Sequence, residues 1–448
     1  MPGNGKGTVG VAMNARSISL MLMASAAAGP VAASAAQTHA QVRPAPAAAA
    51  PAPVAPPAVD PLQPAPAPAP APVELPPPVW NPAAAQELLG YIGGIGRDGL
   101  DPRDYDPGKL QAALASGNPQ LLNQVASETF RKVASDLALG HVRGSARQQW
   151  FVADKDLEGD RLNQLLVQVA GGGRVTETLN GLLPTHPQYG ALRNALSLAS
   201  NSDQATIDKI RLNMDRWRWL PRDLGQKYII VNVPGMHATL VENGATRWKH
   251  KAIAGAIKTP TPQLSVMATG VKFNPWWEVP RSLSGEVAGK RGYVAVRGKD
   301  GKVQRWRQPP GPSNALGRVK FVMPNSEAIY LHDTNARGLF GASSRLLSHG
   351  CIRTEHILDL AGELLSDDGG EWTQEKIDAV LATGKETEAR FVKPVPVHIV
   401  YFSAAALTDG KIITYPDFYK RDGRVLAALN DTGGPRSATA ATKTASSN

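Results

Sequence analysis

The sequence predicts an α+β chain in which a helical region precedes a mostly β region. Between residues 80 and 226, apolar residues recur at helical spacing behind three Asn-Pro or Asp-Pro pairs. From Tyr228 onward, short β-branched runs alternate with turn residues. The 448 residues, of which 42 % are hydrophobic and 19 % charged, suffice for two or three compact domains.

The first 35 residues have the pattern of a secretory signal peptide. Lys6 and Arg16 precede an apolar run at 18–28, and Ala33-Ser34-Ala35 fits a small-x-small cleavage site. A run of 11 residues is too short for a hydrocarbon core of about 30 Å, so a stable transmembrane span is not expected. The signal predicts export to the periplasm or cell envelope, with an uncleaved anchor as the alternative.

A linker and a tail flank the folded part. Residues 36–79 form a Pro/Ala-rich linker, and 15 of the chain's 37 prolines lie between 37 and 79. Such a tract is either a disordered leader or a semi-rigid polyproline II spacer. Residues 431–448 are rich in Ser, Thr and Ala and predict a disordered tail.

The helical region divides into a domain at 80–200 and a connecting helix at 201–226. The pairs Asn81-Pro82, Asp106-Pro107 and Asn118-Pro119 each place a capping residue before a proline that suits the first helical turn. Arg216, Trp217, Arg218 and Trp219 could suggest stacking on nucleic acid, but one such cluster is more typical of an anchor at a domain joint.

The β region at 227–430 begins with strands at 228–233 and 238–241, joined by an Asn243-Gly244 hairpin turn. Further strands are expected at 251–255, 319–322, 328–331 and 397–401. The basic stretch at 280–312, with a hairpin tip near Asp300-Gly301, is long enough to form a lid.

The single cysteine excludes an intramolecular disulfide, and the net charge of +10 permits anionic partners without selecting one. No histidine or carboxylate spacing typical of a metal site is present, so no metal or other cofactor is expected. The histidines outside the cysteine region, His250 and His356 among them, are interpreted as surface or structural residues.

The cysteine lies in Ser348-His349-Gly350-Cys351-Ile352-Arg353, 19 positions after His332. A nucleophilic thiol must ionise, so His332 is the expected base, with Asp333 fixing its tautomer through its side chain or its main-chain carbonyl. We expect the sulfur to be held ionised beside the imidazole. The amides of Gly350 and Cys351 are candidate oxyanion donors, Arg353 a carboxylate or phosphate fork, and His349 either catalytic or supporting.

Two other interpretations of this cysteine were weighed. A lone cysteine is more often buried and inert, but the export signal and the polar residues around Cys351 argue against that here. A papain-like protease places its cysteine before its histidine, whereas His332 comes first in this chain.

His332 together with the Ser348–Arg353 block resembles the signature of L,D-transpeptidases with a YkuD-type catalytic domain. The segments at 213–221, 273–280, 310–317 and 321–325 resemble the larger, YcbB-like branch, and the region around Asp98 and Tyr105 resembles its scaffold domain. The resemblance implies a β-sandwich catalytic domain with a capping insertion at about 280–312. No room is left for the peptidoglycan-binding module that many members of the branch carry.

The resemblance further implies a cysteine-dependent acyltransferase. Cys351 would form a thioester with a peptidoglycan tetrapeptide stem, release terminal D-Ala and pass the acyl group to an acceptor stem, giving a 3→3 crosslink. Tyr330, Ser348, Trp277 and Arg353 would bind substrate. The partners are donor and acceptor stems and possible other cell-wall enzymes, without nucleic acid. L,D-carboxypeptidase activity, D-amino-acid exchange and a noncatalytic wall-binding scaffold stay open as alternatives.

Overall fold

The computed structural model describes residues 76–153, 156–199, 203–367, 369–407 and 409–431. The signal peptide, nearly all of the linker and the tail beyond residue 431 lie outside these described residues. No helix within the described part is long and apolar enough to cross a membrane.

The first region is helical, and its helices begin where the Asn-Pro and Asp-Pro pairs predict. Asn81 caps the first helix by accepting a hydrogen bond from Ala83 N–H at 2.9 Å, and Asn118 caps the third in the same way. The seven helices that precede the main sheet are α1 (Pro82–Gly93), α2 (Pro107–Ala115), α3 (Pro119–Leu139), α4 (Arg161–Ala170), α5 (Val175–Asn180), α6 (Pro187–Leu198) and α7 (Gln204–Trp217).

The second region is built on one large sheet. The strands of the described residues are β1 (Trp150–Phe151), β2 (Lys227–Asn232), β3 (His237–Glu242), β4 (Ala245–Gly255), β5 (Gln263–Phe273), β6 (Trp277–Glu278), β7 (Val294–Arg297), β8 (Val303–Gln308), β9 (Val319–Val322), β10 (Leu331–His332), β11 (Leu346–Ser348), β12 (Ile352–Thr354), β13 (Thr387–Val400), β14 (Ala404–Ala406) and β15 (Ile412–Thr414). The remaining helices are α8 (Ser284–Val287), α9 (Ile357–Asp367), α10 (Gln374–Thr383) and α11 (Asp422–Leu429).

The sheet is closed, which corrects the expected sandwich. Its strands follow the order β5, β13, β2, β3, β4, β12, β10, β9, and β9 pairs again with β5. The pairing is mixed rather than wholly antiparallel, because β13 runs parallel to β2 and β10 runs parallel to β12. The interior is filled by buried side chains such as Ile229, Phe273, Phe321 and Ile399.

A small three-stranded sheet forms an insertion between β5 and β9. Here β8 pairs with β6 and β7, and the β7–β8 hairpin turns near Gly301, which has a φ of 74°. Val279, Leu283 and Val287 form its separate apolar core. This small sheet begins at β6, a few residues before the capping insertion expected at 280–312, whose bounds stay a prediction.

The end of α7 joins the helical region to the sheet. Trp217 stacks on Phe402 with ring centroids 4.3 Å apart, and Trp219 meets Trp150 edge-on at 5.4 Å. The buried Asp215 carboxylate accepts hydrogen bonds from His141 N–H at 2.6 Å and from Trp219 Nε1–H at 2.9 Å. These contacts pack the end of α7 against β1 and against the segment after β13, and the role of a domain-joint anchor stays a prediction.

Candidate active site

Cys351 lies in the short turn between β11 and β12 and is half-buried. Its Sγ is 3.7 Å from the main-chain carbonyl of Ala328. Ala328 has a φ of 53°, in the left-handed region, and this turn replaces most of the strand expected at 328–331. The turn aims a carbonyl at the sulfur, which an extended strand would not do.

The cysteine turn is held by two buried hydroxyls. Ser348 Oγ donates to the Cys351 carbonyl at 2.6 Å and accepts from Gly350 N–H at 3.1 Å. Thr261 Oγ1 donates to the Gly350 carbonyl at 2.7 Å and accepts from Gly255 N–H at 2.9 Å. A Cβ at Gly350, where φ is 115°, would lie 3.2 Å from Ile329 Cδ1.

These contacts correct two expectations. Ser348 is 3 % exposed and its hydroxyl is used within the turn, so it positions the loop rather than facing a substrate. The Gly350 N–H is already donated to Ser348 and is not free for an oxyanion. The main-chain N–H of Cys351, by contrast, has no hydrogen-bond partner among the described residues.

The parallel pairing of β10 with β12 sets the histidine beside the cysteine turn. Leu331 is opposite Ile352 and His332 is opposite Arg353, and Ile352 N–H donates to the Tyr330 carbonyl at 3.1 Å. Because side chains alternate along a strand, Tyr330, His332, Cys351 and Arg353 project from one face. No direct His332–Cys351 hydrogen bond is present among the described contacts. Catalytic hydrogen bonds are often long in substrate-free structures and tighten when substrate binds.

The tautomer of His332 is set by its neighbour's main chain. His332 Nδ1 lies 2.5 Å from the Asp333 carbonyl, so Nδ1 carries the proton and Nε2 is left as the acceptor. The Asp333 carboxylate accepts from Arg318 N–H at 2.9 Å and pairs with Arg337 at 3.0 Å. Of the two alternatives expected for Asp333, the structure has the main-chain one, while its carboxylate anchors the segment.

Burial favours the neutral forms of both reacting groups. Burial, together with the Arg353 and Lys320 charges, lowers the pKa of His332 to about 3. Burial also raises the pKa of the Cys351 thiol above its usual range. This corrects the expectation of a permanently ionised sulfur, because the resting pair is a thiol and a neutral imidazole.

Three residues oppose part of the rise that burial causes in the pKa of the Cys351 thiol. The main-chain N–H and hydroxyl of Tyr330, and the charges of Lys320 and Arg353, each lower the pKa of Cys351. Lys320 Nζ lies 3.8 Å from the centroid of the Tyr330 ring. Neither Lys320 nor Arg353 forms an ion pair with a carboxylate in the described part of the chain, although Glu386 and Glu278 are close enough to Lys320 to oppose the lowering of its pKa by burial.

A cleft of about 420 Å³ opens beside the cysteine turn. It is lined by residues of the sheet and of the capping insertion, among them Trp276, Arg307, Lys320, Ala328 and Tyr330. The Arg307 guanidinium stacks 3.9 Å from the centroid of Trp276. Ala328 and Tyr330, whose side chain or main chain adjoins the sulfur, therefore form part of a cleft whose walls carry aromatic rings and charges of both signs, because Glu278 and Glu386 also line it.

Trp277 and His349 face the site from the capping side. The Trp277 indole donates to the Tyr330 hydroxyl, and this contact opposes the rise that burial causes in the pKa of Tyr330. His349 is exposed, and its Nε2 lies 3.9 Å from Glu286 in α8. A catalytic role for His349 stays a prediction, because its recorded partner is a carboxylate of the insertion.

Sequence reasoning missed Lys320 and Thr261. Lys320 reaches the site through the pairing of β9 with β10, which places it opposite His332. Thr261 lies in the loop between β4 and β5, about ninety positions before the glycine that it holds. No local motif marks either residue, so only the three-dimensional pairing identifies them.

Comparison with known proteins agrees with this site. Residues 226–396 match the model of the YkuD family, described as the L,D-transpeptidase catalytic domain, and residues 76–196 match the model of the Scaffold domain. The chain belongs to the L,D-transpeptidase family. It has the YcbB-like architecture, in which the scaffold domain precedes the catalytic domain.

Individual relatives carry the same name. A Haemophilus influenzae protein assigned to the L,D-transpeptidases is 29 % identical over 394 residues, covering 79 % of this chain and 77 % of its own. Solved L,D-transpeptidases from Mycobacterium smegmatis and Mycobacterium tuberculosis are 12 % and 16 % identical, with TM-scores of 0.21 and 0.20. Each match covers 39 % of this chain, which spans 58 % and 61 % of the respective solved chains.

Proposed function

We propose that this protein is an exported L,D-transpeptidase that forms 3→3 crosslinks in peptidoglycan through a thioester on Cys351. The donor is a tetrapeptide stem, which loses its terminal D-Ala, and the acceptor is the side-chain amine of a neighbouring stem. The observation that carries the proposal is a half-buried thiol beside a strand that bears a histidine of fixed tautomer, next to a cleft lined by Tyr330, Lys320 and Trp276.

The first step is attack of Cys351 on the carbonyl of the third stem residue. As the carbon–sulfur bond forms, the thiol proton passes to His332 Nε2, which is unprotonated because Nδ1–H is donated to the Asp333 carbonyl. That hydrogen bond also stabilises the imidazolium. The imidazolium then gives its proton to the departing amine of D-Ala as the carbon–nitrogen bond breaks.

The tetrahedral intermediate needs a donor for its oxyanion. The Cys351 N–H is unpartnered among the described residues and lies at the attacking residue itself, so we assign it this role. The Tyr330 hydroxyl, which lowers the pKa of the Cys351 thiol, would support the negative charge that develops during attack.

The two cations near the sulfur fit an anionic peptide. Arg353 and Lys320 would attract the free carboxylates of the stem, which a neutral peptide would lack. Desolvation lowers the pKa of Lys320 and of Arg353, and a carboxylate ligand opposes both shifts. Their charge therefore serves substrate binding as well as thiol activation.

In the second step an amine displaces the thiol, and the cysteine is regenerated. Water competes for the same thioester and would give an L,D-carboxypeptidase product instead. The capping insertion, whose Trp277 reaches the Tyr330 hydroxyl, is placed to exclude that water. The balance of aminolysis and hydrolysis is therefore a property of this lid.

The test is incubation of the protein with purified tetrapeptide muropeptides and mass analysis of the products. Dimers that have lost one D-Ala are expected from the wild type and absent from Cys351→Ala. Tripeptides without dimers would establish the carboxypeptidase instead, and dimers formed by Cys351→Ala would refute the thioester. Intact mass after exposure to a carbapenem gives an independent count of acylated cysteine.

A further inference from the structure

Two histidines and a glutamate come together on the sheet surface away from the cysteine turn. His250 lies in β4, whereas Glu355 and His356 lie between β12 and α9. One nitrogen of each imidazole and one oxygen of the carboxylate are all within 4.8 Å of one another. The His250 and His356 ring centroids are 4.7 Å apart, and His250 Nδ1 is 3.9 Å from Glu355 Oε2.

A second carboxylate orients one of these histidines. His356 Nδ1 lies 3.2 Å from Asp359 Oδ2 in the first turn of α9, so Nδ1–H is donated to the carboxylate and Nε2 keeps its lone pair. This carboxylate–histidine contact is the arrangement that orients imidazole ligands in metalloproteins.

The charges of the cluster also call for a cation. Among the described residues, Glu355 has His250 as its only ionic partner and Asp359 has only His356. A metal ion binds the imidazoles in their unprotonated form, in which the two carboxylates give the cluster a charge of minus two. Lys and Arg, the usual partners of such carboxylates, are not paired with either of them in the described residues.

The main chain holds the ligands in place before any ion arrives. Glu355 N–H donates to the Lys251 carbonyl at 2.9 Å, which ties residue 355 to β4. The His356 carbonyl accepts from Asp359 N–H at 3.1 Å and from Leu360 N–H at 3.3 Å. His356 itself has a φ of 54°, a left-handed conformation that turns the chain from β12 into α9.

We propose that His250, Glu355 and His356 bind a divalent first-row transition metal ion, with Zn²⁺ the best fit to two imidazoles and a carboxylate. Bonds of about 2.0–2.2 Å to a tetrahedral ion bring ligand atoms to roughly 3.3 Å from one another, so the side chains close by about 1.5 Å through rotation. A water molecule completes the tetrahedron at the exposed side.

The ion ties the exit of β12 to β4 only four residues after Cys351. A cavity of about 220 Å³ between this cluster and the histidine strand is lined by Asp333, Arg337, His356 and Asp359. Binding is therefore expected to stabilise the folded catalytic domain, because the ion links two strands and a helix start that the unfolded chain separates.

The test uses the full chain without an affinity tag and with Cys351→Ala, because the thiol would bind zinc itself. Calorimetric titration with Zn²⁺ is expected to give one saturable site, and zinc is expected to raise the unfolding temperature. His250→Gln and His356→Gln are expected to abolish both effects. Asp359→Asn, which removes only the orienting carboxylate, is expected to weaken affinity about 10- to 100-fold.

The matched control is His349→Gln, which removes another exposed imidazole with a carboxylate neighbour, Glu286, at 3.9 Å. It is expected to leave zinc binding unchanged. Absence of saturable binding would overturn the proposal, as would binding that survives His356→Gln or is matched by Mg²⁺. Metal-free unfolding of each variant identifies any general loss of folding. Because the cysteine is absent throughout, these outcomes are independent of the transpeptidase proposal.

Discussion

Replacing Ser348 by alanine tests whether the geometry of the cysteine turn controls acylation. The change removes the hydrogen bond from Oγ to the Cys351 carbonyl, at 2.6 Å, and the one from Gly350 N–H to Oγ, at 3.1 Å. No group that touches a substrate is removed, because Ser348 is 3 % exposed. Any loss of rate therefore reports on positioning of the sulfur and of the Cys351 N–H.

The expected loss of acylation rate follows from the two polar groups that Ser348→Ala leaves without a hydrogen-bond partner. The Gly350 N–H is buried and stays unsatisfied, at about 1–3 kcal/mol. The Cys351 carbonyl belongs to a half-buried residue and can recruit water, so its loss is closer to about 1 kcal/mol. The sum of about 2–4 kcal/mol predicts acylation slower by roughly 30- to 1000-fold where the loss falls wholly on the reactive geometry.

The assay is the second-order rate of carbapenem acylation followed by intact mass. Ser344→Ala is the matched control, because Ser344 is exposed nearby and makes no hydrogen bond among the described contacts. Thr261→Val, which removes the second hydroxyl holding Gly350, should slow acylation in the same direction. A Ser348→Ala protein that acylates within twofold of the wild-type rate would refute the argument.

Three further outcomes are expected. Tyr330→Phe removes a hydroxyl that lowers the pKa of the Cys351 thiol, so the iodoacetamide alkylation profile should move to higher pH. Asp215→Asn places an amide against N–H donors, the nearest at 2.6 Å, and should lower the free energy of unfolding in urea by about 3 kcal/mol or more. Burial lowers the pKa of His186 and of His398 to about 4, so the unfolded chain binds more protons than the folded one between about pH 6.5 and pH 4. The free energy of unfolding, measured in urea, should therefore fall as the pH is lowered from about 6.5 to about 4, by up to about 1.4 kcal/mol per pH unit for each histidine. The variant His398→Gln should reduce this slope.

Helix starts were predictable because their determinants are local. An Asn or Asp side chain caps the helix that the next proline begins, and Asn81 and Asn118 do so within three residues of their own position. The hairpin at Asn243-Gly244 is equally local, since both residues take the positive φ that the turn requires.

Sheet closure depends on pairings that no local pattern encodes. The β13 strand spans Thr387–Val400, yet only its last residues were expected, because Pro394 and Pro396 lack the N–H that a ladder uses. A register shift between Arg390 and Val395 accommodates the first of these prolines. The β5–β9 pairing, which closes the sheet, joins segments some fifty residues apart.

The reacting residues of the site were predictable from the sequence, but their protonation states were not. Cys351 and His332 were identified by their motif, whereas the protonation of each depends on burial and on Lys320, which arrives from β9. The cluster of His250, Glu355 and His356 was not predicted from the sequence for a similar reason. His250 and His356 are more than a hundred positions apart, and only the pairing of β4 with β12 brings them together.

The helical region contributes to the cysteine turn through a chain of hydrogen bonds. Arg421, just before α11, donates to the Gln149 side chain beside β1 and to the Thr261 carbonyl at 3.2 Å. Thr261 in turn holds the Gly350 carbonyl at 2.7 Å. Arg421 and Thr261 therefore connect Gln149, in the region matched by the Scaffold model, to the turn that carries the sulfur. We therefore expect Arg421→Met to change the rate of Cys351 acylation, because a shift of Arg421 reaches Gly350 through a single threonine.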